Sequence, residues 1–202
     1  MSKTHFKRSS SFFTHRLLWK ASKSLRDQMN STDLNPTHFE YSAYLTLYFT
    51  LESYLNYLGD TAFSETWANE REFFSINEYK GTLGKLQWLS EQLNITQVSD
   101  FSKRPGQTIS NLNKIRNCLV HGGLEKNEAF DEIDFEDLTI ETMLKNSIEK
   151  RKHDKFLDHC FDDIEAIISK LNQSAEDNSQ NGRKYRIASE PLMGTNKIEI
   201  GG

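Results

Sequence analysis

Arg116, Asn117 and His121 stand in the run RNCLVHGG, residues 116 to 123, and their types suit acid–base work on a phosphate. A guanidinium is always charged and presents a planar fork that matches phosphate oxygens. An imidazole takes up and releases a proton near neutral pH, and a carboxamide offers both a donor and an acceptor to orient either group. On a helical wheel with Ile109 at zero, Leu112, Ile115, Leu119 and Val120 fall in one arc, and Arg116 falls inside it. A charge in an apolar arc requires an anionic partner, a wet cleft or a boundary with another chain.

Two readings of that arginine stand side by side. Paired with a buried carboxylate, for which Glu52 on the second predicted helix is the candidate, it would be structural, and His121 before Gly122 and Gly123 would cap the last turn. Facing a cleft, Arg116 would bind phosphate, Asn117 would orient the substrate and His121 would move a proton. His121 lies five residues further on, about 140° around an ideal helix, so the two side chains are expected to diverge within one chain. The spacing alone does not decide, since Arg8 and His15 make a similar pair.

Three prolines and ten glycines in 202 residues leave few forced breaks, and most segments between them repeat apolar residues with helical period. The fold class expected is all-α, an up-and-down helical bundle. A first helix is predicted over 10–30. A second, capped by Thr37 with Glu40 three residues on, carries Tyr44, Leu47, Tyr48, Leu51, Leu55 and Leu58 and stops at Gly59 and Asp60. An aromatic region over 63–79 is read as partly helical, with Phe63, Trp67, Phe73, Phe74 and Tyr79 as core and not as a base-stacking platform. Gly81 to Gly84 is read as a break before a leucine-rich helix, and a polar stretch over 99–106 leads into the helix of the motif. A last long helix spans 147–172, with Phe156, Leu157, Cys160, Ile164, Ile167, Ile168 and Leu171 facing the core. Residues 1–172 form one domain, and 173–202, rich in Ser, Asn, Gln and Gly, are read as a flexible polar tail in which KYRIASE and NKIEIGG form at most a short hairpin.

The segments ISNLNKIRNCLVHGG, YLTLYFTLESYLNYLG and TLGKLQWLSEQL together resemble the HEPN superfamily, over about residues 10 to 172. The specific part is Arg116, Asn117 and His121, which match the family's Arg-polar-x(3–5)-His signature near the end of a late helix. The resemblance implies a HEPN-type bundle and a metal-independent RNA endonuclease with a toxin, defence or RNA-processing role. It also implies a homodimer in which two motifs share one cleft, RNA as substrate, and an antitoxin or other protein as a further partner. The divergence expected of Arg116 and His121 suits a twofold axis that brings the two groups together from different chains. A tyrosine that some toxin members carry shortly after the motif histidine is absent, since Gly122, Gly123, Leu124 and Glu125 stand there. Members without nuclease activity supply the alternative, a non-catalytic helical interaction or nucleotide-binding module.

Composition narrows the classes further. The net charge of −4 argues against a uniformly basic nucleic-acid binder, yet the charge is segregated. Met1 to Arg26 holds seven basic residues and no acidic one, while Glu125 to Glu141 holds eight acidic residues against Lys126. The basic arm can meet a phosphate backbone, and the acidic run reads as a solvated connection. That arm also has the composition of an organellar transit peptide, but Phe12, Phe13, Leu17, Leu18 and Leu25 read equally as the buried side of a helix. Cys118 and Cys160 are too few for a disulfide framework or a zinc site, which fits a reducing cytoplasm. No apolar run is long enough to span a bilayer. His153, Asp154, Asp158, His159, Asp162 and Asp163 crowd the last helix, but lack converging ligand spacing and are read as a solvated face. No glycine-rich phosphate loop or dinucleotide fingerprint is present, so neither metal nor cofactor is expected.

Overall fold

Leucine and tyrosine repeat along one stripe of the second helix, and the other helices are arranged around it. The computed structural model describes residues 7–10, 13–29, 31, 36–75, 78–121, 155–180, 190–193 and 198–201. Helix α1 spans Thr14–Met29 and α2 spans Pro36–Ala62. Two single turns follow, α3 (Ser64–Trp67) and α4 (Glu70–Phe73), and then α5 (Gly81–Gln92). A 3-10 turn over Thr96–Ser99 precedes α6 (Gly106–His121), and α7 covers Phe156–Gln180. The α-helical expectation is met, with one addition: a two-stranded antiparallel ribbon pairs β1 (Lys7–Ser10) with β2 (Ile198–Gly201).

Helix α2 is the hub and packs against α1, α3, α5, α6 and α7. Leu47, Leu51, Leu55 and Leu58 are fully buried on its stripe and meet Ile109, Leu112 and Ile115 of α6 and Ile164, Ile167, Ile168 and Leu171 of α7 in one core. Burial of each such side chain contributes roughly 1.5–3 kcal/mol, and cutting one back, as in Leu51→Ala, costs about 2–5 kcal/mol through the cavity it leaves. The aromatic region between α2 and α5 closes one end of this core. Trp67 lies 5.0 Å from Phe74 and 5.8 Å from Trp88, centroid to centroid, and all three are buried. These rings are therefore core, and not an open platform for bases.

Several boundaries differ from the sequence expectation. Helix α1 begins at Thr14, after Ser10 has joined β1, and α7 begins at Phe156, after Lys155 at a positive φ, while 147–154 lie outside the described residues. Helix α2 starts at Pro36, whose fixed φ suits a first turn, one residue before Thr37, the expected cap. The same helix runs through Gly59, because the Trp67 indole lies where a Cβ of residue 59 would project. Gly81, at a positive φ, does mark the break before α5, but Gly84 lies inside the first turn of that helix, where it allows the Tyr79 backbone to approach. Helix α7 extends to Gln180, with Asn172 and Ala175 buried, so the chain beyond 172 is not all tail. Leu192 is buried as well, and Arg16 of α1 donates to the carbonyls of Glu190 (2.6 Å) and Pro191 (3.3 Å). The segment NKIEIGG pairs with the N-terminal strand, and KYRIASE up to residue 189 lies outside the described residues. The acidic run 125–141 also lies outside them, as do Gly122, Gly123, His153 and Asp154.

Candidate functional site

Three elements deliver the motif to one place. Helix α6 is held at its N-terminal end by Arg104, whose Nε and Nη2 donate to Oδ2 and Oδ1 of Asp163 on α7 at 2.8 and 2.9 Å. Along its length Ile109, Leu112 and Ile115 seat it on the core. Past Ile115 the helix leaves that core: Leu119 is half-buried, Val120 is 46% exposed and His121 is exposed. Arg116 sits at this transition, half-buried, with its guanidinium carbon 5.7 Å from the ring centroid of Tyr48 on α2. A cation over an aromatic face is favourable by about 0.5–2 kcal/mol, more as water is excluded.

The arginine and the histidine do not diverge. Arg116 Nη1 lies 3.2 Å from His121 Nε2 and 3.0 Å from Asn117 Oδ1. The expected separation of 140° counts only the direction of each Cα–Cβ bond. A helical side chain leans toward the helix N-terminus, so the His121 ring tips back, and the long arginine stem spans the rise of about 7.5 Å between the two positions. A guanidinium only donates, so this contact is a hydrogen bond in the tautomer that leaves Nε2 bare and carries the ring proton on Nδ1. All three motif residues thus meet within one chain, and the geometric case for completing the pair from a second chain falls away.

The rest of the guanidinium is uncommitted. Arg116 Nε is buried without a hydrogen-bond partner, and Nη2 makes no hydrogen bond among the described residues. A buried donor left unpaired costs roughly 1–3 kcal/mol, a cost that a two-oxygen ligand on the Nε–Nη2 edge would remove. Arg104 holds Asp163 by that same edge. Glu52 was the candidate structural partner, but it forms no ion pair with Arg116; both line a cleft of about 450 Å³ together with Tyr48, Lys80, Thr82, Asn113 and Asn117.

Of these, Tyr48, Asn113, Lys80 and Thr82 were not singled out from the sequence as site residues. Tyr48 lies on the apolar stripe of α2 and reads as core, which it is, but its hydroxyl also donates to Asn113 Oδ1 at 2.7 Å. Burial holds this phenol above its usual range, so it stays a neutral donor. Asn113 precedes Arg116 by three residues and Asn117 by four, a helical spacing that places all three on one face and was the available signal. Lys85 also lines the cleft but is largely buried and committed to Asn56 Oδ1 (2.8 Å) and to Glu70.

Elsewhere, the acidic cluster of α7 is not uniformly solvated. Asp163 is buried against Arg104, whereas Asp158 and Asp162 are exposed. Among the described residues no group of three or more His, Cys, Asp or Glu side chains is arranged to hold a metal, and no helix is long and apolar enough to cross a membrane. Cys118 and Cys160 form no disulfide, and Cys160 is buried, which pushes its thiol up. His15, of the second Arg–His pair, is buried among Phe13, Tyr54 and Tyr57, where it lines a separate cavity with Ser53, Asn56 and Asp60. Compared with protein-family models, with curated proteins and with solved structures, the chain matches none.

Proposed function

We propose that this chain is a HEPN-type endoribonuclease that cleaves single-stranded RNA at the Arg116–His121 pair without a metal ion. The observation that carries the reading is the contact between Arg116 Nη1 and His121 Nε2 beside a cleft, with the Nε–Nη2 edge of the same guanidinium uncommitted. A phosphate taken on that edge would satisfy the buried Nε and draw the guanidinium toward the substrate. His121 Nε2, released from Arg116, would then accept the proton of a ribose 2′-hydroxyl. The 2′-oxygen attacks the adjacent phosphorus, and the bond to the 5′-oxygen breaks as that oxygen takes a proton from a second His121 or from water. The products are a 2′,3′-cyclic phosphate and a 5′-hydroxyl end. Arg116 stabilises the added charge of the phosphorane-like transition state, and Asn117 fixes the guanidinium while Nη1 is shared.

The pairing of two chains implied by the family resemblance remains part of this reading, in a changed role. Each chain already holds a complete Arg116–His121 pair, so a dimer supplies a second pair, and a proton donor for the leaving oxygen, without having to complete the first. An antitoxin or similar protein partner belongs to the same proposal.

The test is incubation of the purified chain with end-labelled RNA in excess EDTA. Cyclic-phosphate ends that persist with chelator and vanish in His121→Ala support the reading. A folded protein that leaves varied RNAs intact would instead be a non-catalytic module of the same fold.

A further inference from the structure

We propose that the cleft beside Arg116 is a base-recognition pocket selective for guanine, with Glu52 as the residue that selects it. Its link to cleavage rests on the endoribonuclease reading, but the binding does not.

The recognition set follows from which atoms are already committed. Asn113 and Asn117 stand four residues apart on α6 and both line the cleft. Arg116 Nη1 can only donate, so the atom it meets on Asn117 is the carbonyl Oδ1, and the Nδ2 group is left over. The Tyr48 hydroxyl donates to Oδ1 of Asn113 and leaves that Nδ2 over too. Neither amide nitrogen has a hydrogen-bond partner among the described residues. Two oriented amide donors therefore border the cleft.

The same cleft holds an acceptor that no cation engages in an ion pair among the described residues. Glu52 follows Tyr48 by four residues on α2 and makes no hydrogen bond or ion pair among the described residues. The nearby Lys85, which would neutralise it, is already bound to Asn56 and Glu70. An ionised carboxylate only accepts, so it fits an edge that presents two adjacent donors.

Among the four RNA bases only guanine presents such an edge, in its N1–H and N2–H groups, while its O6 and N7 offer acceptors to amide donors. Adenine places the N1 lone pair beside its N6 amino group, and cytosine places N3 beside N4. Uracil flanks N3–H with two carbonyl oxygens. In each of these the carboxylate faces a lone pair. Single-stranded RNA leaves these edges open to reading, and a cleft of about 450 Å³ has room for one nucleotide. Lys80, exposed at the rim, is placed to meet a backbone phosphate.

Two measurements on the full chain and on Glu52→Gln test this. The first is calorimetric binding of the four nucleoside 3′-monophosphates; the second is cleavage mapping on an RNA of mixed sequence. The expected result is that guanosine 3′-monophosphate binds at least about tenfold more tightly than the other three, the usual scale of one bidentate base contact. Cleavage should favour guanosine by a similar ratio, and Glu52→Gln should lose both preferences while circular dichroism shows it folded. Selective binding that depends on Glu52, without any cleavage, would uphold the guanine pocket and defeat the nuclease reading. Cleavage without base preference, or a preference unchanged in Glu52→Gln, would overturn the pocket and leave the nuclease reading standing. Neither cleavage nor selective binding would sink both.

Discussion

Arg104 and Asp163, 59 residues apart, meet through two parallel hydrogen bonds of 2.8 and 2.9 Å that tie the approach to α6 onto α7. The two partners are not equally placed: the Arg104 side chain is 43% exposed and that of Asp163 only 9%. If Asp163 is removed, the guanidinium turns to water. If Arg104 is removed, a buried carboxylate is left with no cation. Arg104→Ala is therefore expected to cost about 1–3 kcal/mol, and more than Asp163→Ala. Urea unfolding of both variants checks the order; equal losses would show that the buried charge is not what makes the pair matter.

Gly59 gives a second case where sign matters. By helix propensity alone, Gly59→Ala in the interior of α2 would stabilise by about 1 kcal/mol. The added methyl would project into the Trp67 indole, part of a buried aromatic group with Phe74 and Trp88. Overpacking of that kind costs about 1–3 kcal/mol, so the clash is expected to win. The variant should show a lower melting temperature and altered tryptophan emission. A melting temperature above that of the unmodified chain would mean that the aromatic group yields easily.

These two examples also show where the sequence could and could not be read. Periodicity exposed the apolar stripes of α2, α6 and α7, because burial repeats with the helical turn and each stripe is local. Gly59 reads as a helix end and Gly84 as part of a break, yet both allow a close approach from residues several positions away, which no local pattern records. Asp163 looks like one of several solvated acids until Arg104 is brought to it across the fold. Arg116, Asn117 and His121 were legible by type and spacing. Their mutual contact was not, because a helical wheel fixes where a side chain starts and leaves open where a long one ends. Tyr48 and Asn113 were hidden for a related reason: each reads as an ordinary member of its helix until α2 and α6 are packed.

His15 makes stability depend on pH. Burial chiefly, with the charge of Arg16 adding to it, lowers its pKa from 6.5 to about 4, against a smaller opposing effect of the Pro191 carbonyl. The unfolded chain binds this proton more readily than the folded one, so stability is full above about pH 6.5 and is lost as the pH falls toward 4. The loss attributable to this group is on the order of 3 kcal/mol. His15→Phe, placed among Phe13, Tyr54 and Tyr57, should flatten that part of the profile. Urea midpoints for both proteins between pH 7 and pH 4.5 measure the difference, and parallel profiles would assign the acid sensitivity to other groups.

The contact between Arg116 and His121 within one chain bears most directly on how activity is shared between copies. If the working pair is the one seen here, Arg116→Ala and His121→Ala each destroy every site they carry, and no pairing of the two inactive chains contains Arg116 beside His121 on the same helix. A mixture of the two variants should stay at background cleavage even after subunits have been exchanged by dilution and reconcentration. A site assembled across a twofold axis behaves differently, because one groove of the mixed dimer would then hold an intact arginine from one chain and an intact histidine from the other. Restoration to a sizeable fraction of normal activity in the mixture, with neither variant active alone, would therefore show that the productive contact is between chains and that the 3.2 Å contact belongs to a resting arrangement. Sedimentation of the unmodified chain at assay concentration completes the test: full activity where only monomer is present is the result expected if water, and not a second His121, protonates the leaving oxygen.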